Sequence, residues 1–157
     1  MKHIVVTTDF SPAAEPAFDY AKKQARLIGK EQCKITLLTV IDDVAPANIT
    51  FEYGLAIANK RGIVEKLEKQ ATEKMKELLR THFSDYFVES VVLKPQEPVY
   101  QEIVEFAKYH DADLIVMSTH GRTGIKHFLL GSVAERVIRQ SSCPVMVVPV
   151  KSVTEQS

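Results

Sequence analysis

Met117-Ser118-Thr119-His120-Gly121 closes an apolar, strand-like run, and Gly131-Ser132-Val133-Ala134-Glu135-Arg136-Val137 opens a helical one. Glycines at 121, 124 and 131 punctuate the connection between them. A strand that enters a helix through a glycine-rich loop is the repeating unit of layered α/β proteins. Backbone N–H groups at such a junction can also hold phosphate, because the first turn of a helix leaves its donors unpaired.

Outward from this junction the same alternation recurs along the chain. Apolar runs at residues 3–8, 34–41, 88–93, 113–118 and 144–150 are rich in Val and Ile and mostly continuous. Continuous runs of this kind predict strands covered on both faces, as in a parallel sheet. Helical spacing fills the gaps. A first helix is predicted over residues 12–28, with Ser11 as N-cap, Pro12 in the first turn and Gly29 as the stop. Its buried stripe is Ala14, Phe18, Ala21, Ala25 and Ile28. A second helix, over 56–83, carries Ile63, Leu67, Ala71, Met75, Leu78 and Leu79 on one face and Lys and Glu on the other. The third spans 98–109 with Ile103, Val104, Phe106 and Ala107, and the fourth begins at Ser132, whose hydroxyl can cap it.

This order of elements predicts right-handed crossovers and a doubly wound parallel sheet. Ligands of such sheets sit at the carboxyl ends of the strands, where the strand order reverses. The residues that follow the strands are Asp9, Asp42, Pro95 and the loop from Ser118. Residues 42–56, with Pro46 and Gly54 and no clear period, are expected to form a mobile loop over that edge.

Composition narrows the function classes. A chain of 157 residues with 45% hydrophobic residues builds one core, and one domain is expected over residues 1–150 with a flexible tail at 151–157. Lys plus Arg and Asp plus Glu both number 20, so no net positive field collects nucleic acid. The longest apolar runs fall far short of the roughly 20 residues that cross a bilayer. The amino terminus enters a strand-like run without a small-residue cleavage site, which predicts a cytoplasmic protein. The two cysteines, Cys33 and Cys143, lack CxxC partners and are expected to be reduced thiols in or near the core.

Individual residues at the carboxyl edge admit two roles each. Asp9 can accept hydrogen bonds from a ribose or an adenine amino group, or it can organise the turn and help Ser11 cap the helix. Val40 can offer backbone groups to a base edge while its side chain packs on the ring; otherwise it is a core residue. Gly121 and Gly131 allow close backbone approach to a phosphate, and Ser132 adds a hydroxyl at a helix N-terminus. His120, Arg122, Lys126 and His127 either face such a phosphate or are solvated. Neither GxxxxGK[ST] nor a GxGxxG after the first strand is present. The GxSxG elbow, a Ser/His/acid group and an acidic pair for two metals are missing as well, so no catalytic residues are assigned.

The chain resembles the universal stress protein family over nearly its whole length. The resemblance is carried by Thr8-Asp9-Phe10-Ser11 with the alanine-rich first helix, by Leu38-Thr39-Val40-Ile41-Asp42, by Ala112-Asp113-Leu114-Ile115-Val116-Met117, by the glycine loop, and by Ser142-Cys143-Pro144-Val145-Met146-Val147-Val148. Nucleotide-binding members of that family carry Gly-x2-Gly-x9-Gly followed by Ser or Thr. Gly121, Gly131 and Ser132 match its later positions, and Ser118 stands where the first glycine belongs. Gln96 also departs, from a glycine that many members carry.

The resemblance implies a five-stranded parallel sheet of order 3-2-1-4-5 with helices on both faces, Rossmann-like and of the adenine nucleotide alpha hydrolase-like type. It implies adenine and ribose contacts near Thr7, Asp9 and Val40. It implies phosphate contacts from Ser118, His120, Gly121, Arg122, Gly131, Ser132 and Val133. The ligand implied is ATP, ADP or AMP, with Mg or Mn held mainly by the nucleotide phosphates. A homodimer paired through residues 144–150 is implied too, as is hydrolysis that is slow at most. The alternatives are a dimeric interaction module of the same fold that binds no nucleotide, and a slow ATPase.

Overall fold

The computed structural model describes residues 1–41, 60–94, 96–119 and 130–150, with the backbone alone at 60 and 61. Strands β1 (Lys2–Thr7), β2 (Cys33–Val40), β3 (Val88–Leu93), β4 (Leu114–Ser118) and β5 (Val145–Val148) form one sheet in the order β3-β2-β1-β4-β5. Every neighbouring pair is parallel. The helices are α1 (Glu15–Ile28), α2 (Lys60–His82), α3 (Val99–Tyr109) and α4 (Ser132–Gln140). The expected fold and strand order are therefore the ones observed, with strand ends shifted by one or two residues.

Alternation along the strands sorts the side chains into two cores. On one face Ile4, Val6, Ile35, Leu37, Val116 and Val148 pack against Ala17, Phe18, Ala21 and Ala25 of α1 and Met75 of α2. On the other, Val5, Leu38, Ile115 and Met117 pack against Ile103, Phe106 and Ala107 of α3 and Ala134 and Val137 of α4. Each fully buried large side chain, such as Phe18 or Ile35, contributes about 1.5–3 kcal/mol. Both faces being covered is the reason the strands read as continuous apolar runs. On α2 burial begins at Ala71, and Ile63, expected in the buried stripe, is 48% exposed.

The start of the first helix differs from expectation for a covalent reason. Pro16 has no N–H to reach the Pro12 carbonyl, so the Glu15 N–H takes that carbonyl in a 3-10 turn over Pro12–Ala14, and the α-helix proper starts at Glu15. Its stop is as expected, whereas Ile28, expected in the buried stripe, is 37% exposed. Gly29 stops the helix at φ 106°, donating to the Ala25 carbonyl.

At the amino edge of the sheet a polar chain ties β1, β2 and β3 together. The buried His3 ring donates from Nδ1 to the His110 carbonyl at 3.0 Å, since a carbonyl only accepts. Its Nε2 meets Thr36 Oγ1 at 2.8 Å, and the Thr36 hydroxyl lies 3.2 Å from Glu89 Oε1. Glu89 is paired with Lys34, whose hydrogen bond first, and charge second, hold its carboxyl below the usual range against some opposing desolvation. This edge lies opposite the one where ligands of such sheets bind, so its role is to hold the strands in register.

Candidate functional site

The chain leaves β1 toward β2 on one side and returns to place β4 on the other, so the strand order reverses between β1 and β4. A crevice forms outside the carboxyl ends of the strands at such a point, because the connections on its two sides leave in opposite directions. The described residues at that point are Thr8 to Ser11 after β1, Thr119 after β4 and Gly131 before α4.

The β1 loop is built by two nested side-chain turns. Thr8, itself buried, sends its N–H to the Leu38 carbonyl at 2.9 Å, and its Oγ1 accepts the Phe10 N–H at 3.0 Å. Asp9 Oδ1 accepts both the Ser11 N–H at 2.9 Å and the Ser11 hydroxyl at 2.5 Å. Phe10 between them is left-handed at φ 66°, a conformation that costs a bulky residue about 1–2 kcal/mol. Packing holds it there: the Phe10 ring lies against the α1 core, with the Lys74 ammonium 5.3 Å from its centroid. The turn-organising role of Asp9 is thus observed. Its capping role is not, since Ser11 is the N-cap residue but its side chain is turned back to Asp9 and caps nothing.

Thr7 and Val40 stand at the ends of adjacent strands. Thr7 pairs with Leu38, two residues before Val40, so by strand alternation both side chains lie on the α3/α4 face of the sheet. Val40 is half-buried against that core, with its strand extended by the Ile41 N–H donating to Leu93 O at 2.9 Å. Ser118 ends β4 opposite Val148, in register with Val116 on the other face.

Backbone hydrogen bonds tie Thr119, after β4, to β5 and to the start of α4. Thr119 donates its N–H to Val148 O at 2.9 Å, and its own carbonyl accepts the Gly131 N–H at 2.8 Å. Gly131 is at φ −61° and ψ 149°, so it is the N-cap of α4, and Ser132 is the first helical residue. The expected cap by the Ser132 hydroxyl is therefore not formed: a residue inside the first turn points its side chain away from the N–H groups it would have to reach. What faces outward instead is the first turn itself, whose N–H groups at Ser132, Val133 and Ala134 have no partner within the helix. The aligned peptide dipoles make this end of α4 attractive to anions. Ser132 is exposed, and Val133 packs partly onto the α3/α4 core.

Thr7, Asp9, Val40, Ser118, Gly131, Ser132 and Val133 thus all stand at the carboxyl edge. His120, Gly121 and Arg122 lie outside the described residues, as do Asp42, Pro95, Gly124, Lys126, His127 and the tail from 151. Two structural contributors went unrecognised in the sequence. Thr119 was signalled only by its place beside Ser118, and nothing in the local sequence announces the left-handed turn at Phe10. Gln96, singled out as a departure, has a local role: its N–H and that of Glu97 donate to Glu102 Oε1 at 2.8 and 2.9 Å, fixing the entry to α3. Among the described residues no group of three or more His, Cys, Asp and Glu side chains is arranged to hold a metal ion, and no helix is long and apolar enough to cross a membrane.

A universal stress protein from Methanocaldococcus jannaschii, MJ0577, is 34% identical over 160 residues, covering 96% of this chain and 96% of that protein. The solved structure of MJ0577 superposes with a TM-score of 0.79 at 32% identity, over 96% of this chain and 97% of the other. More distant likenesses extend to a universal stress protein from Archaeoglobus fulgidus in complex with dAMP, with a TM-score of 0.57 at 22% identity over 94% and 97% of the two chains. Another is a family protein from Arabidopsis thaliana with AMP bound, with a TM-score of 0.56 at 17% identity over 100% and 98%. The model of the universal stress protein family matches residues 1–149, and the chain, with its β3-β2-β1-β4-β5 sheet, belongs to that family.

Proposed function

We propose that this protein binds an adenine nucleotide, ATP, ADP or AMP, in the crevice between the β1 and β4 loops, and that it acts in the cytoplasm as a homodimeric, nucleotide-dependent regulator in the stress response. The observation that carries the nucleotide part is the first turn of α4, which leaves β4 at the strand-order reversal with its Ser132 and Val133 N–H groups turned to the edge. The relatives of this fold solved with AMP or dAMP bound support the same ligand class. In this reading Thr7, Asp9 and Val40 receive the adenosine end. Ser118, His120, Gly121, Arg122, Gly131, Ser132 and Val133 receive the phosphates.

Mg or Mn is carried by the phosphates and water, as hard cations commonly are. The homodimer pairs residues 144–150, because β5 is an edge of the sheet, and an uncovered edge with Val145, Met146 and Val147 only half-buried is a template for a second strand. Nucleotide binding then stabilises the folded dimer by mass action and converts nucleotide level into a conformational signal.

Calorimetric titration with ATP and AMP in magnesium tests this reading, together with mass spectrometry of nucleotide released from the purified protein. Saturable binding is expected. No binding of either nucleotide at millimolar concentration would sink it. Ser118 favours one second reading, a dimeric interaction module without nucleotide, since its Cβ stands where the family pattern has none. In that case the protein is dimeric by light scattering and silent in calorimetry.

A further inference from the structure

A cation outside the expected phosphate set is held at the same edge. Arg136 lies four residues after Ser132, on the same stripe of α4. Helical side chains lean toward the helix N-terminus and cover the turn before their own Cα. The guanidinium of Arg136 is fixed 5.1 Å from the ring centroid of Tyr100. Tyr100 is the second residue of α3, so its ring also belongs to a first helical turn at the carboxyl edge. A guanidinium that reaches the first turn of α3 while rooted in the second turn of α4 stands at the level of both helix starts.

The charge is not spent elsewhere among the described residues. The neighbouring Glu135 is taken by Arg139, with contacts of 3.1 and 3.2 Å, and no described carboxylate lies within ion-pair distance of Arg136. Arg136 is exposed, whereas its cation–π partner Tyr100 is half-buried against the α3/α4 core, so the ring is the fixed member and the guanidinium the presented one. The cation–π contact keeps the guanidinium beside the two helix starts, and its planar fork suits bidentate contact with phosphate oxygens.

We propose that Arg136 is a binding residue for the outer phosphates of the nucleotide, and that Tyr100 is its positioning residue. The inference rests on the nucleotide reading above and adds a selectivity to it. The first turn of α4 serves the phosphate shared by all adenine nucleotides. Arg136 acts on the phosphates that ATP and ADP have and AMP lacks.

The test is calorimetric titration of ATP and AMP into the wild type and into Arg136→Gln, Arg136→Lys and Tyr100→Leu, at low salt and at 0.5 M salt, with thermal melts as a folding control. Arg136→Gln is expected to weaken ATP about tenfold and AMP less than about twofold, with the ATP difference shrinking at high salt. Arg136→Lys keeps the charge without the bidentate fork and recovers part of the loss. Tyr100→Leu leaves the guanidinium in place but unheld, and lowers ATP affinity a few-fold with AMP unchanged. Equal losses for ATP and AMP, or ATP binding by Arg136→Gln as tight as in the wild type, would overturn the assignment while leaving the nucleotide reading standing. A wild type that binds neither nucleotide overturns both.

Discussion

The Gly131 N–H donates to the Thr119 carbonyl at 2.8 Å, and a Cβ added at residue 131 would stand 2.8 Å from that same oxygen. The hydrogen bond that starts α4 and the space that only glycine leaves are therefore one contact. Because Gly131 sits at φ −61°, its need for glycine comes from this close approach rather than from backbone freedom.

Gly131→Ala should therefore cost about 1–3 kcal/mol in urea denaturation, the size of a steric insertion against backbone. It should also weaken nucleotide binding by displacing the first turn of α4. Gly62→Ala is the counter-case, since nothing lies within 4 Å of a Cβ there and the residue is inside α2. That variant should gain about 0.5–1 kcal/mol. Equal stabilities for the two alanine variants would refute the contact argument.

At Phe10 the usual ranking of alanine over glycine should reverse. Both substitutions forfeit the ring's packing against the α1 core and its contact with Lys74, but only glycine relieves the left-handed φ of 66°. Phe10→Gly should be more stable than Phe10→Ala by about 1 kcal/mol in thermal or chemical unfolding.

Asp9 can be split into its two roles. Asn retains an oxygen for the Ser11 N–H and hydroxyl, which Asp9 Oδ1 accepts at 2.9 and 2.5 Å, whereas Ala retains none. Asp9→Asn should keep stability within about 0.5 kcal/mol of wild type, and Asp9→Ala should lose about 1 kcal/mol. A fall in nucleotide affinity in Asp9→Asn, at unchanged stability, would assign the carboxylate to the ligand.

Asp113 should make stability depend on acid pH. Its carboxyl is held below the usual range first by the Lys2 ammonium at 2.6 Å and then by the His3 backbone N–H at 2.8 Å. A carboxyl depressed in the folded state stabilises fully above its unfolded value, near 3.9, and loses that contribution as pH falls through the folded value. Asp113→Asn should be less stable than wild type at pH 7, by about 0.5 kcal/mol given the solvent screening of a side chain 36% exposed. The two melting curves should converge as pH falls below the folded value; a gap that stays constant with pH would contradict the ion-pair account.

The two thiols should separate in an alkylation time course. Burial, and secondarily the Asp113 charge, push the Cys33 thiol up, and its side chain is 2% exposed, so little reactive thiolate is available. Cys143 is partly exposed and rests against the Ser141 hydroxyl. Under native conditions Cys143 should label first and Cys33 only at the rate of unfolding, as peptide mass spectrometry would show.

The layered architecture is legible in the residues alone. Continuous Val- and Ile-rich runs have one low-energy home, strands covered on both faces, and the stripe of Phe18, Ala21 and Ala25 has to close over one of them. The stop at Gly29 was equally legible, because its left-handed φ of 106° is open to glycine at little cost. The cap at Ser132 was misplaced by one residue, because sequence sees a hydroxyl before a helix but not which residue leaves the extended region.

Contacts between elements far apart in the chain set the remaining features. The left-handed Phe10 is held by packing against a core that β1, β2, β4 and two helices assemble together, and by Lys74, distant in sequence, against a local preference that points the other way. The meeting of Thr119 with Gly131, and of Arg136 with Tyr100, likewise depends on where α3 and α4 land on the sheet. Local propensity is set by a residue and its near neighbours, whereas these contacts exist only once the strand order β3-β2-β1-β4-β5 has brought separate helix starts to one edge.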